Sequence, residues 1–186
     1  MEQFQYHARE SLDRPIDNFL AEADSLGHMN SHTVLLLGLA IGVIAGLRSL
    51  TAPAVTSWAA HFGWLPVHNT PFRFMASAVS MAIFSLLAVA ELVADQLPST
   101  PSRTAPPGLI ARILTGGLSA AVVAAAGGRD ARIGAALGAL GGVAGAFGGY
   151  QLRTGLVRAL RVPDFVIAIL EDIVAIGGGL FLVSRF

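Results

Sequence analysis

The chain of 186 residues contains no cysteine and no lysine, and only 13% of its residues are charged. Without cysteine it can form neither a disulfide nor a thiolate metal site, and it has no thiol nucleophile. Its 12 basic residues balance its 12 acidic residues, so the formal net charge is zero. This balance gives no basic surface on which to predict nucleic-acid binding. We also expect no cleaved signal peptide, because residues 1–31 lack its apolar segment.

Long apolar stretches make up most of the chain, and the mean hydropathy is +0.65. Windows of about 18 or more apolar residues are typical of membrane-spanning helices, because lipid offers the backbone no hydrogen-bond partner. Five stretches reach or approach this length, at residues 33–47, 72–95, 109–127, 133–149 and 163–183. We therefore predict an all-α, polytopic membrane bundle over residues 31–186, with about five transmembrane helices and the lipid bilayer as its main partner.

The first 30 residues are more polar and form a separate head. Their apolar side chains recur at a spacing that puts them on one face of a helix. These are Leu12, Ile16, Phe19, Ala23 and Leu26. The pattern predicts an amphipathic helix over residues 1–30 that lies on the membrane or on the rest of the chain. The alternative is a docking element for another protein.

Residues 52–65 are too short to span a bilayer and too apolar for a solvated loop. We predict a re-entrant or interfacial hairpin there that enters and leaves on one side. The arginines then divide seven to five between the two sides, whereas they would divide six to six if the segment crossed. By the positive-inside rule this predicts a cytoplasmic N-terminus. The arginine-only, alanine- and glycine-rich composition is typical of a GC-rich bacterial genome, which predicts the bacterial cytoplasmic (inner) membrane.

A weak internal similarity relates residues 41–55 to residues 141–160. Each is a glycine-rich helix followed by Leu-Arg and a short semi-polar segment, and Pro71 or Pro163 then opens the next apolar stretch. Inverted repeats with broken helices are a recurring plan of transporters. The similarity predicts such a repeat, with breaks near Arg48 and Arg153. Chance similarity between glycine-rich helices is the alternative.

The candidate functional residues are the charged side chains that interrupt the apolar stretches. An ionised carboxyl at such depth costs about 2.5–3.5 kcal/mol on insertion scales. We therefore expect Glu171 or Asp172 to pair with an arginine, because an unpaired buried charge is costly. A run of prolines from Pro98 to Pro107 predicts a stiff connection between the neighbouring charged residues. The candidate network comprises Arg48, Glu91, Asp95, Arg103, Arg112, Arg153, Glu171 and Asp172.

Three motifs together resemble a known family. They are ADQLPSTPSRTAPPGLIARILTGGLSAA, GLRSLTAPA and LEDIVAIGGG. They resemble a family of bacterial integral membrane proteins defined as a domain of unknown function (number 4126). The resemblance extends from residue 33 to the C-terminus and leaves the head outside. It implies domain boundaries and the importance of these motifs, but no activity, substrate or cofactor.

Ionisable groups inside a membrane are functional candidates by default. We predict a small secondary transporter or channel for an ion or small polar solute, with proton coupling through the carboxyl groups. Four carboxyls against three arginine partners favour a cation or proton over an anion. The alternative is a non-transporting scaffold or lipid-associated membrane protein whose charge pairs are structural. The sequence shows no nucleophile next to a general base, and its histidines are not spaced as metal ligands. We therefore expect neither an enzyme nor a cofactor.

Glycines recur at four-residue spacing in the stretch 133–149. Small residues at this interval let two helices approach closely. The spacing predicts packing within one subunit, with a homodimer through the same helix as the alternative.

Overall fold

The computed structural model describes residues 29–95 and 104–186, and the elements within these ranges are all helical. The all-α prediction is therefore confirmed. Ser31–Phe186 forms one compact unit, whereas the predicted amphipathic helix of the head lies outside the described residues. The helices are α1 (Ser31–Leu47), α2 (Thr51–His61), a short 3-10 helix (Arg73–Ala76), α3 (Ala78–Ala94), α4 (Pro106–Ala126), α5 (Ala131–Leu160) and α6 (Asp164–Val183).

Three of these helices, α4, α5 and α6, are long and apolar enough to cross a membrane. The apolar helices α1 and α3 have 17 residues each, which is about 25 Å of helix. No residue of α3 is buried, and Leu86 on its outer surface is 71% exposed. An exposed helix that is apolar on all sides is typical of contact with lipid. The described helices thus indicate a membrane protein, while the count of five spans stays a prediction.

The closest packing joins α1, α4 and α5 through small residues. Gly42 and Gly46 of α1 lie against the backbone of α5 at Gly138 and Gly142, and Gly116 of α4 also meets Gly138. A methyl group at any of these positions would overlap backbone atoms of the facing helix. The glycine face of α5 is therefore occupied within the subunit. A homodimer would have to form through another surface.

Helices α1 and α2 form a helical hairpin whose turn is residues 48–50. Pro53 accounts for the turn, because in a continuous helix its ring would clash with the carbonyl of Ser49. Helix α2 then runs back along the bundle to His61, whose Nδ1 lies 2.9 Å from the carbonyl oxygen of Ala76. The predicted hairpin lies wholly within residues 52–65. In the structure that stretch is mainly one arm, and α1 is the other.

This geometry also changes the predicted topology. Arg48 pairs with Asp172 and Ile44 packs against Gly178, so α6 runs antiparallel to α1. The start of α1 and the end of α6 therefore lie at the same end of the bundle, rather than at opposite ends. With α2 running along the bundle, the crossing alternative applies, for which the sequence count gives six arginines on each side. The positive-inside count then favours neither orientation.

Helix α5 is continuous from Ala131 to Leu160, so the predicted break near Arg153 is wrong. Residues 131–160 contain no proline, and the Thr154 hydroxyl donates to the Tyr150 carbonyl oxygen one turn back, as it can within an intact helix. The chain reverses only after Arg161, which has a left-handed φ of 54°. The proposed inverted repeat therefore lacks its second broken helix.

Candidate functional site

Charged side chains from all the long helices and from the α1–α2 turn meet at one end of the bundle. All of them except Asp164 belong to the network predicted from the sequence. Of the residues in that network, Arg103 lies outside the described ranges. We call this set the charge cluster; it comprises Arg48, Glu91, Asp95, Arg112, Arg153, Asp164, Glu171 and Asp172.

Arg48 lies at the α1–α2 turn and is completely buried. Its Nη1 pairs with Asp95 at the end of α3, and its Nε lies 2.5 Å from Oδ1 of Asp172 in α6. Its Nη2 has no hydrogen-bond partner among the described residues. The side chains of Asp95 and Asp172 are 18% and 15% exposed. Among the described residues the accessible charge at this point is therefore negative, because the guanidinium is enclosed and its two carboxylates are not.

Glu91 of α3 binds the backbone of the same turn. Its Oε1 accepts hydrogen bonds from the N–H of Ser49 at 2.8 Å and from the Ser49 hydroxyl at 2.6 Å. Its Oε2 accepts one from the N–H of Leu50 at 2.7 Å. These N–H groups precede the first turn of α2, where helix geometry leaves donors without backbone partners. Leu50 offers no side-chain cap, so a carboxylate from another helix caps α2, with a favourable sign for the helix dipole.

Arg112 of α4 is 5% exposed and joins the turn from the other side. Its Nε donates to the carbonyl oxygen of Gly46 at 3.1 Å and its Nη1 to that of Gly108 at 3.0 Å. Its Nη2 lies 3.8 Å from Oε1 of Glu91. The Gly46 carbonyl belongs to the last turn of α1, where carbonyl groups lack intrahelical partners. Arg112 and Glu91 therefore satisfy the two helix ends that the turn creates.

Arg153 connects α5 to α6. Its Nε donates to Asp164 at 2.9 Å, Nη2 also pairs with Asp164, and Nη1 lies 3.5 Å from Oε2 of Glu171. The Asp164 side chain is 63% exposed, whereas that of Glu171 is 9% exposed. Asp164 precedes Glu171 by seven residues, which is two helical turns along one face. That spacing was the signal by which the sequence could have identified it.

The expected pairing of Glu171 or Asp172 with an arginine is present for both residues. Adjacent residues project about 100° apart on a helix. Asp172 therefore faces the α1–α2 turn, whereas Glu171 faces α5. The Pro-rich connection lies outside the described residues up to residue 103, and Pro106 and Pro107 form the first turn of α4, where proline is tolerated.

A small cavity adjoins the Arg153–Glu171 pair. Its volume is about 130 Å³, and its other walls are apolar side chains of α5 and α6 together with Leu47. At about 30 Å³ for each water molecule, the cavity has room for several. Within the described ranges no group of three or more histidine, aspartate or glutamate residues is placed to hold a metal ion. The site is thus a set of ion pairs beside a small, mostly apolar cavity.

Comparison with known proteins identifies a family for this chain. No curated protein matches the chain, and no solved structure does. A family model described as Domain of unknown function (DUF4126) matches residues 35–184, a range that includes the whole charge cluster. The chain therefore belongs to this family of domains of unknown function.

Proposed function

We propose that this protein is a small secondary transporter or channel for an ion or a small polar solute, and that the charge cluster is its site. The observation that carries the proposal is the position of Glu171 and Asp172, about two turns inside a helix whose other charged residue is Asp164 at its start. Burying ionisable groups at this depth costs free energy. Packing alone does not require these carboxyl groups, because an apolar pair of similar volume is often as stable as a buried ion pair.

The surplus of carboxyl groups supports coupling to protons. Among the described residues the charge cluster has five carboxyl groups and three guanidinium groups, so their full ionisation would give this set an excess of negative charge. A carboxyl group can relieve that charge by binding a proton or by binding a cation. If both compete for the same oxygen atoms, binding one releases the other. Glu171 suits this exchange because it lines the cavity next to Arg153.

The contacts of Glu91 indicate a structural role for part of the charge cluster. Three hydrogen bonds to the α1–α2 turn make it a structural cap. A scaffold or lipid-associated protein is the alternative function predicted from the sequence, and this part of the site supports that alternative. We therefore assign transport to Asp95, Glu171 and Asp172, and assign the shape of the turn to Glu91 and Arg112.

Within the same proposal the protein lies in the bacterial cytoplasmic membrane, needs no cofactor and catalyses no reaction. A homo-oligomer remains a prediction, whereas a cytoplasmic N-terminus loses the support of the arginine count, which no longer differs between the two sides. These statements depend on the apolar helices and the composition.

Reconstitution into sealed liposomes tests the proposal. The vesicles contain a pH-sensitive dye, and a gradient of Na⁺, K⁺ or an organic cation is imposed across the membrane. We expect cation-driven proton movement with the wild type that is absent from empty vesicles. Asp172→Asn should abolish it, whereas Asp130→Asn should not, because Asp130 caps α5 outside the charge cluster and asparagine caps equally well. A folded wild type that moves no proton under any gradient would support the scaffold instead.

A further inference from the structure

A groove of about 710 Å³ lies between α2, α3 and α6. The ion pairs of the charge cluster do not occupy it. Its walls are almost entirely apolar, and its polar side chains are Thr51 and Ser85. The Ser85 hydroxyl accepts a hydrogen bond from Trp58 Nε1 at 2.8 Å, which leaves little polar capacity along the walls. The groove therefore suits an apolar body rather than a hydrated ion.

One end of this groove leads to the charge cluster. Leu92 lines the groove and precedes Asp95 by three residues on the same face of α3. Ile176 lines it from α6 and follows Asp172 by four residues, again on one face. Asp95 and Asp172 are the two partly exposed carboxylates that share the enclosed Arg48. The accessible charge that the described residues place at this end of the groove is therefore negative.

The other end of the groove is aromatic. The ring centroids of Trp58 and Phe62 lie 5.6 Å apart, and those of Phe62 and Trp64 lie 6.4 Å apart. These three side chains are 42–56% exposed, so the end is open. The faces of aromatic rings attract cations, including quaternary ammonium groups. Both ends of the groove thus favour a positive charge on a ligand, and the walls between the ends favour an apolar part of that ligand.

We infer that this groove binds a lipophilic organic cation, with its apolar part along α2 and its charge next to Asp95 and Asp172. The inference rests on the proposed function and narrows its substrate class. A lipophilic anion of the same size would meet carboxylates, and no guanidinium of the described residues lines the groove to face it. A bilayer acyl chain would fill the same apolar walls without any preference for charge.

A pair of ions with matched shape tests the inference. Tetraphenylphosphonium and tetraphenylborate have similar size and apolar surface but opposite charge. Both tryptophans of the chain line the groove, so quenching of the intrinsic fluorescence reports its occupancy. The protein is titrated in lipid nanodiscs, and the free concentration of each ion is corrected for its partition into empty nanodiscs. We expect saturable binding of the phosphonium that is at least tenfold tighter than that of the borate, a ratio that corresponds to about 1.4 kcal/mol.

Two substitutions locate the site, each with a matched control. Asp172→Asn should weaken phosphonium binding about tenfold, because one charge contact of about 1.4 kcal/mol is lost, and Asp130→Asn should leave it unchanged. Ala88→Leu adds bulk inside the groove and should abolish binding of both ions. Ala90→Leu, on the exposed side of the same helix, should not. Ala88→Leu leaves the charge cluster intact, so the test does not depend on the folding of Asp172→Asn.

The outcomes separate this inference from the proposed function. Equal affinities for the two ions would overturn it and leave an apolar groove that lipid can fill. Quenching that does not saturate, or that Ala88→Leu leaves unchanged, would overturn it as well. Saturable phosphonium binding without any ion movement in liposomes would retain the groove assignment and refute transport. Proton-coupled movement of an inorganic cation without phosphonium binding would retain the proposed transport and refute the groove assignment.

Discussion

Arg48 is the residue on which most of the charge cluster depends. It is completely buried and holds Asp95 and Asp172 together. Removing one member of a buried charge set leaves the others uncompensated, which typically costs about 3–5 kcal/mol. We predict that Arg48→Met lowers the free energy of unfolding by about this amount. Arg129→Met, on the exposed α4–α5 connection, should change it little.

Thermal or denaturant unfolding in detergent, followed by circular dichroism, measures this effect. Combining Arg48→Met with Asp95→Asn and Asp172→Asn should recover part of the loss, because the carboxylates would then carry no charge. If Arg48→Met and Arg129→Met were equally stable, the cluster would not hold these helices together.

Glu91 provides a second prediction at the scale of a residue. Glu91→Ala leaves the N–H groups of Ser49 and Leu50 without their acceptor, at about 1–3 kcal/mol for each buried unsatisfied group. Glu91→Gln keeps one acceptor oxygen and should lose less than half as much stability. The same unfolding assay measures both variants. Equal losses would mean that charge, and not capping, is what Glu91 supplies.

At the scale of helices, the glycine contacts set how closely α1, α4 and α5 approach. A methyl group on Gly138 would overlap the Gly116 carbonyl oxygen and the Ala120 side chain, whereas one on Gly148 of the same helix would meet nothing within 4 Å. Overpacking of a well-packed contact costs about 1–3 kcal/mol. We therefore predict that Gly138→Ala destabilises the bundle by at least that much. Gly148→Ala should be neutral or slightly stabilising, because alanine favours helix by about 0.5–1 kcal/mol. Similar unfolding midpoints for the two variants would contradict the close packing.

The sequence predicted helices better than it predicted their interruptions. Apolar stretches near 20 residues indicate spanning helices because lipid leaves the backbone no other partner. The break after Arg48 was also predictable, since Pro53 excludes a continuous helix. No proline follows Arg153 within α5. The similarity of its Leu-Arg segment to the one at Arg48 was too weak a signal to predict a break there. Local sequence therefore determines where a helix ends only when a residue such as proline enforces it.

At the scale of the whole molecule, the sequence predicted the members of the charge cluster but not their pairing. Charges in apolar helices must find partners, which was enough to name seven of the eight residues. Which carboxylate meets which arginine depends on the direction of α2, because that direction brings Arg48 to Asp95 and Asp172. The apolar groove was not predictable at all, since its walls join α2 and α3 to α6, which is distant from them in the sequence.

The topology of the bundle gives a prediction that the absence of cysteine makes simple to test. Single cysteines at Ser31 and Ser184 should react with a membrane-impermeant maleimide from one side of the membrane, and a cysteine at Arg161 should react from the other. The reason is that α1 and α6 are antiparallel, which places the start of α1 and the end of α6 at one end of the bundle. Labelling of Ser31 and Ser184 from opposite sides would restore the topology expected from the arginine count.

Whether the charge cluster moves ions, or only holds helices together, is decided most directly by Glu171. Glu171→Gln retains shape and hydrogen-bonding capacity but cannot exchange a proton at neutral pH. The measurement is cation-driven proton flux in liposomes, wild type against Glu171→Gln, with both proteins shown to unfold at the same temperature. We predict flux with the wild type and a loss of at least tenfold in the variant, the equivalent of about 1.4 kcal/mol. Equal flux in the two proteins would contradict the assignment of the cluster to transport.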